Sequence, residues 1–174
     1  MKTKKQLRKI CLNNRQNLTV DLRKQYSQII CNKLLTYIDN KMVMSYLPYN
    51  NEVDLSYINN NTFAYPVIKN DNMMDAYITD SDYIENKYHI LEPDINKSTL
   101  INKNDIDIVI VPCVGFDENK YRLGYGGGYY DRYLKDLSAL KIGVAFEIQK
   151  VDNIPYEKND IVLDIIISED NIYQ

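Results

Sequence analysis

Asp107-Ile-Val-Ile-Val-Pro-Cys-Val-Gly-Phe116, then Arg122-Leu-Gly-Tyr-Gly-Gly-Gly-Tyr-Tyr-Asp-Arg-Tyr-Leu134, then Ile142-Gly-Val-Ala-Phe146 is the stretch that decides the fold. The apolar run Ile106 to Val111 is continuous rather than alternating, which marks a strand covered on both faces. Ile142 to Phe146 and Ile161 to Ile167 read the same way. Between the first two, Tyr129, Tyr130, Tyr133, Leu134 and Leu137 recur at helical spacing. Strand, helix and strand with buried strands predict a right-handed crossover in a mostly parallel sheet.

The central segment holds four of the chain's six glycines, at the predicted mouth of the helix. Backbone N–H groups there lack partners, and the helix dipole favours anions. Gly124, Gly126, Gly127 and Gly128 have no side chains to keep a phosphate away. Arg122 adds a fork of donors, and Asp131 a carboxylate able to hold a phosphate-bound metal. The alternative is a glycine-rich strand-to-helix turn with no ligand, although each extra glycine disfavours the helix by up to about 1 kcal/mol. The segment is neither a Walker loop nor a dinucleotide fingerprint.

With 174 residues, 45% of them apolar, the chain fits one domain spanning 1–174. Charges balance at 21 basic to 24 acidic, so neither a nucleic-acid nor a membrane surface is indicated. No stretch approaches the ~18 apolar residues of a membrane span, and the basic N-terminus lacks the apolar core of a secretory signal. Cys11, Cys31 and Cys113 have no metal-ligand spacing and read as free thiols in a reducing cytoplasm. His89, the sole histidine, has no motif around it.

Residues 2 to about 16 form a predicted helix with Leu7, Ile10 and Cys11 among basic residues, which by themselves describe a solvated surface helix. A second helix starts after the N-cap Thr19, with Asp21 in its first turn and a core stripe from Leu22 to Ile38. Met42 to Leu47 reads as a strand, Pro48 to Asn51 as a loop, and Asp54 as the start of a helix. Thr62 to Ile68 and Met73 to Thr79 read as strands, and Tyr83 to Asn104 as an irregular connection. Asp164 interrupts the last apolar run, either hydrogen-bonded at an edge or placed to meet a cation.

Beyond these features, the chain resembles the 5-formyltetrahydrofolate cyclo-ligase family over nearly its whole length. The resemblance rests on Lys4-x-x-Leu7-Arg8, Tyr46 through Glu52-Val53-Asp54, Pro66, Ile90-x-Glu92-Pro93, Val111-Pro112-x-Val114-x-Phe116-Asp117, the Arg122–Leu134 segment, and Pro155 followed by Asp160 and Asp164. It implies an open α/β sheet with helices on both faces, similar to sugar-phosphate isomerases and coenzyme A transferases. It also implies conversion of 5-formyltetrahydrofolate to 5,10-methenyltetrahydrofolate with MgATP consumed and ADP and phosphate released. Position by position, it assigns ATP contacts to Lys4, Arg8, Arg122, Leu123, Gly124, Tyr125, Gly126, Gly127, Gly128, Tyr129 and Tyr130, with Lys4 and Arg122 catalytic. Folate contacts fall to Leu47, Glu52 and Tyr125 to Tyr129, and magnesium to Asp131 and Asp164. Cys113 stands where many members have a small residue, and Gly127 where some have Lys. A cytoplasmic monomer is expected. The rivals are an isomerase of the same fold, or a folate- or nucleotide-binding protein without catalysis.

Overall fold

Both long helices begin where a threonine satisfies an orphan N–H. The structure, a computed structural model, describes residues 2–59, 61–69 and 73–174. Thr3 caps α1 (Lys4–Gln16): its hydroxyl accepts from the Gln6 N–H at 3.3 Å, and Gln6 accepts in return from the Thr3 N–H at 2.9 Å. Thr19 caps α2 (Val20–Ile38) through the Leu22 N–H at 3.2 Å. A third helix, α3 (Tyr129–Leu134), starts where the spacing predicts but ends before Leu137.

The strands are β1 (Val43–Met44), β2 (Phe63–Ile68), β3 (Met74–Ile78), β4 (Tyr83–Glu85), β5 (Leu91–Pro93), β6 (Thr99–Ile101), β7 (Ile108–Pro112), β8 (Gly115–Phe116), β9 (Arg122–Leu123), β10 (Leu140–Val144), β11 (Ile165–Ile167) and β12 (Ile172–Tyr173). Among the described residues, eight form one sheet in the order β12-β11-β10-β7-β1-β2-β3-β6. Its middle, β11-β10-β7-β1-β2, is parallel, while the outer pairs β11–β12, β2–β3 and β3–β6 are antiparallel. The chain first builds outward from β1 to β2, then returns to lay β7 on β1's other side. That reversal is a topological switch point, whose crevice outside the carboxyl ends of the strands is where open α/β sheets bind ligands.

Side-chain alternation explains the continuous apolar run of β7. Ile108 and Ile110 face Ile30, Leu34 and Ile38 of α2. Val109 and Val111 face the other way, into the core shared with Tyr133 and Leu134 of α3. With both faces covered, each of these side chains contributes about 1.5–3 kcal/mol by burial. α1 packs Leu7 and Cys11 on Val114, Leu123 and Ile154, at the carboxyl end of the sheet. The N-terminal helix is therefore half-buried, and is fixed to the glycine-rich segment.

Three expectations are corrected. No helix starts at Asp54. Its carboxylate accepts from the Ser56 N–H at 2.9 Å, a local turn that competes with helix, and its own N–H donates to Ser27 Oγ at 3.0 Å. Val53, Leu55 and Ile58 are instead buried against α2. The connection 83–104 is less irregular than its composition suggests, holding the β4–β5 hairpin and β6. The strand expected over 161–167 shortens to β11, Ile165–Ile167, so Asp164 precedes it rather than interrupting it. Among the described residues, no helix is long and apolar enough to cross a membrane.

Candidate functional site

A hairpin launches the glycine-rich segment. Asp117, fully buried, accepts from the N–H groups of Asn119 (3.0 Å) and Tyr121 (3.1 Å) with one oxygen, and from that of Ile154 (2.9 Å) with the other. This fixes the turn between β8 and β9 and sets Leu123 under α1, which leaves Arg122 on the opposite side. The Arg122 side chain is 5% exposed, bonded to Asp131 Oδ1 at 3.1 Å and lying over the Tyr130 ring at 5.8 Å. Gly126 and Gly128 have φ of 106° and 68°, a region that side-chain-bearing residues rarely adopt. Gly128 serves as the backbone cap of α3, but six helical residues give little dipole, so the positive charge of this segment rests mainly on arginines.

α1 supplies two of them. Arg8 Nε donates to the Gly124 carbonyl at 2.7 Å, and its guanidinium lies beside Gly126. Arg15, 1% exposed, donates from Nη2 to the Tyr125 hydroxyl at 2.6 Å. An open groove on the outer side, bordered by Lys5, Arg8, Lys9 and Tyr125, extends the positive field.

The loop after β1 closes the other wall. Leu47 is half-buried, and Tyr49 meets Tyr125 edge-on with centroids 5.9 Å apart. Glu52 is 8% exposed and accepts from the Tyr49 N–H at 3.0 Å. Burial pushes its carboxyl up to about 7, against the opposing pull of that N–H, the Arg15 charge and a hydrogen bond with Tyr125. Cys113, at the end of β7, is raised to about 12 by burial although Arg122 pulls the other way.

What marks this crevice is its unmet polarity. Among the described residues seven buried side-chain polar atoms have no partner, and five of them belong to Arg15 (Nε and Nη1), Ser45, Arg122 (Nε) and Tyr130 (OH). Ser45 follows β1, and Glu52 acts electrostatically on Tyr130, Tyr46, Cys113 and Tyr125. Buried polar groups are nearly always satisfied, so such a concentration marks groups that a polar ligand would complete.

The family model described as the 5-formyltetrahydrofolate cyclo-ligase family matches residues 1–169. The chain belongs to that family. A 5-formyltetrahydrofolate cyclo-ligase of Mycoplasma pneumoniae is 32% identical over 180 residues, covering 96% of this chain and 99% of its own. The Haemophilus influenzae 5-formyltetrahydrofolate cyclo-ligase is 30% identical over 170 residues, covering 88% and 91%. Among solved structures, the 5,10-methenyltetrahydrofolate synthetase of Aquifex aeolicus superposes with a TM-score of 0.85 at 31% identity, covering 98% of this chain and 92% of that one. That of Mycoplasma pneumoniae gives 0.78 at 30%, covering 95% and 98%. Membership makes this cyclo-ligase chain an enzyme of the ligase class.

The expected site residues of this cyclo-ligase chain mostly converge. Arg8, Arg122 and the segment Gly124–Tyr130 meet at the crevice, with Leu47 and Glu52 opposite, whereas Leu123 is buried under α1 with Leu7 and Cys11. Lys4 stands apart from a bare cation, bonded to Asp160 at 2.6 Å and Glu157 at 3.3 Å. Asp131 accepts from the Ile161 N–H at 3.3 Å, which sets the backbone of the preceding Asp160 beside it, while the Asp160 carboxylate accepts from Lys4 and from the Glu157 N–H, each at 2.6 Å. Asp164 does not join them. It sits at the amino edge of β10 and β11, its side chain 46% exposed, and its carboxylate accepts from the Lys141 N–H at 2.8 Å. Of the two alternatives for this acid, the hydrogen-bonded edge is the one found. Arg15 was absent from the expected set. Its signal was the spacing Leu7, Cys11, Arg15, which places an arginine on the buried stripe of α1.

Proposed function

We propose that the protein converts 5-formyltetrahydrofolate to 5,10-methenyltetrahydrofolate with consumption of MgATP and release of ADP and phosphate. The observation that carries this reading is the cluster of unpartnered buried donors around Glu52, beside an arginine-lined glycine segment at the switch point of the sheet. An anionic co-substrate and a flat, polar-edged ring are what such a crevice takes.

The reaction needs the formyl oxygen made into a leaving group. Transfer of the γ-phosphoryl group to that oxygen breaks the bond to the β-phosphate oxygen and makes a phosphate ester on the N5 carbon. N10 then attacks that carbon, phosphate departs with the former formyl oxygen, and N10 loses its proton. The protein's part is position and charge. Arg122, held by Asp131 and Tyr130, presents its free Nε toward developing negative charge without having to reorganise. Arg8 fixes the turn at Gly124 so that the glycine N–H groups border the phosphates. Glu52 accepts from the amino-pyrimidine edge of the pterin, and Leu47 and Tyr125 wall the ring.

For magnesium, no cluster of three or more metal-ligating side chains exists among the described residues. This fits an ion that arrives on the triphosphate, keeps its waters and needs only one or two carboxylates. Asp131, beside Arg122, fits that role, and Asp160, whose neighbour Ile161 donates to Asp131, would join it on release from Lys4, whereas Asp164 at the sheet edge does not. When bound, the ion neutralises phosphate charge. The enzyme is taken to act as a cytoplasmic monomer.

The test is to mix purified protein, 5-formyltetrahydrofolate, ATP and magnesium and follow the near-ultraviolet absorbance of the methenyl product. Absorbance should rise only when all are present. Folate binding without any product would contradict the reading.

A further inference from the structure

Arg15 is the least satisfied charged group described in the molecule. It is 1% exposed, and of its three guanidinium nitrogens only Nη2 has a partner, the Tyr125 hydroxyl at 2.6 Å. Nε and Nη1 are buried with none. A buried cation left this way is strongly unfavourable unless something completes it. Glu52 is the obvious counter-charge, and the two feel each other, but Glu52 spends one oxygen on the Tyr49 N–H and no ion pair joins it to Arg15. Tyr125 lies between, bonded to Arg15 and hydrogen-bonded with Glu52. The result is an acceptor and two idle donors grouped about the Tyr125 hydroxyl.

We propose that Arg15 is a substrate-contacting, specificity-determining residue: with Glu52 it reads the 2-amino-4-oxo edge of the pterin, donating to the 4-oxo oxygen while Glu52 accepts from the 2-amino and ring N–H. This rests on the folate reading of the crevice. On the ligand, two donors sit beside one acceptor in a rigid ring, and Glu52 with the two idle Arg15 donors offers the complementary set. A purely structural Arg15 would have its donors satisfied within the protein, as Asp117 has its acceptors satisfied. Replacing the 4-oxo oxygen by an amino group sets donor against donor, the kind of mismatch that polar sites reject most strongly.

The experiment is calorimetric binding without ATP, so that catalysis plays no part. The probes are 5-formyltetrahydrofolate and its 4-amino counterpart. The wild type should prefer the 4-oxo compound by about 10- to 150-fold, the worth of one charge-assisted hydrogen bond. Arg15→Met should lose about that factor for the 4-oxo compound and change the 4-amino compound by less than about threefold. Arg15→Gln, which keeps N–H donors without charge, should recover part of the preference. Equal affinity of the wild type for both compounds overturns the proposal with no variant needed. So does a folded Arg15→Met or Arg15→Gln that keeps the full preference. A wild type that binds neither compound overturns the folate reading itself, and this inference with it.

Discussion

Glu52→Gln should stabilise the ligand-free protein at high pH while weakening folate binding, and the size of the gain follows from the site. Glu52 titrates at about 7 in the folded chain because burial disfavours its charge, against an ordinary value of 4.5. The folded state therefore binds a proton more tightly than the unfolded state. Stability from this group is complete below pH 4.5, declines as pH rises, and is gone above pH 7. The shift corresponds to about 3 kcal/mol at pH 8, since each unit is about 1.4 kcal/mol. Glutamine resembles the neutral acid and still offers an oxygen to the Tyr49 N–H. Variant and wild type should then melt within about 2 °C of each other at pH 5, while at pH 8 the variant should lead by roughly 6–12 °C, at 2–4 °C per kcal/mol for a domain of this size. Thermal unfolding by circular dichroism across pH 5–8 reads this directly. A Glu52→Gln variant that loses stability at pH 8, or a gap that does not widen with pH, would show that Glu52 is satisfied in the free protein rather than waiting for a ligand.

Other consequences concern the arginine-lined segment and its supports. Arg122→Ala removes the donor presented to the phosphates and should lower kcat/KM by about 100-fold or more; steady-state kinetics near wild type would take Arg122 out of the phosphate site. Magnesium titrations of activity should separate the acids: Asp131→Asn and Asp160→Asn should raise the concentration of magnesium needed, and Asp164→Asn should leave it unchanged. Asp117→Ala strips the acceptors from three N–H groups, two of them turn N–H groups and one that of buried Ile154, and should cost about 3 kcal/mol or more in urea unfolding. A cost under about 1 kcal/mol would mean that water replaces the carboxylate.

The sheet was legible because both its faces are covered. Ile108 to Val111 cannot alternate when α2 takes one side and α3 the other, so the continuous run and the glycine-rich crossover told of a parallel core. Thr19 was legible because its hydroxyl does what a cap does. Strand order was not, since nothing local in β1 says that β7 returns beside it. Asp54 misled because the same carboxylate serves as a helix signal or an Asx turn, and burial of Val53, Leu55 and Ile58 decided for the turn. Asp160 and Asp164 lie four residues apart in one tail. Only the Ile161 bond to Asp131 and the Lys141 bond to Asp164 distinguish an acid at the site from one at the far edge of the sheet. Arg15 was missed because a charged residue on a basic helix reads as surface, although its register with Leu7 and Cys11 put it inside.

The most direct measurement uses substrate carrying ¹⁸O in the formyl group. With ATP, magnesium and the wild-type protein, mass spectrometry of the released phosphate should find one labelled oxygen for each methenyl product formed. Methenyl product accompanied by unlabelled phosphate would contradict phosphoryl transfer to the formyl oxygen, and with it the account of why Arg122 and Glu52 face one crevice.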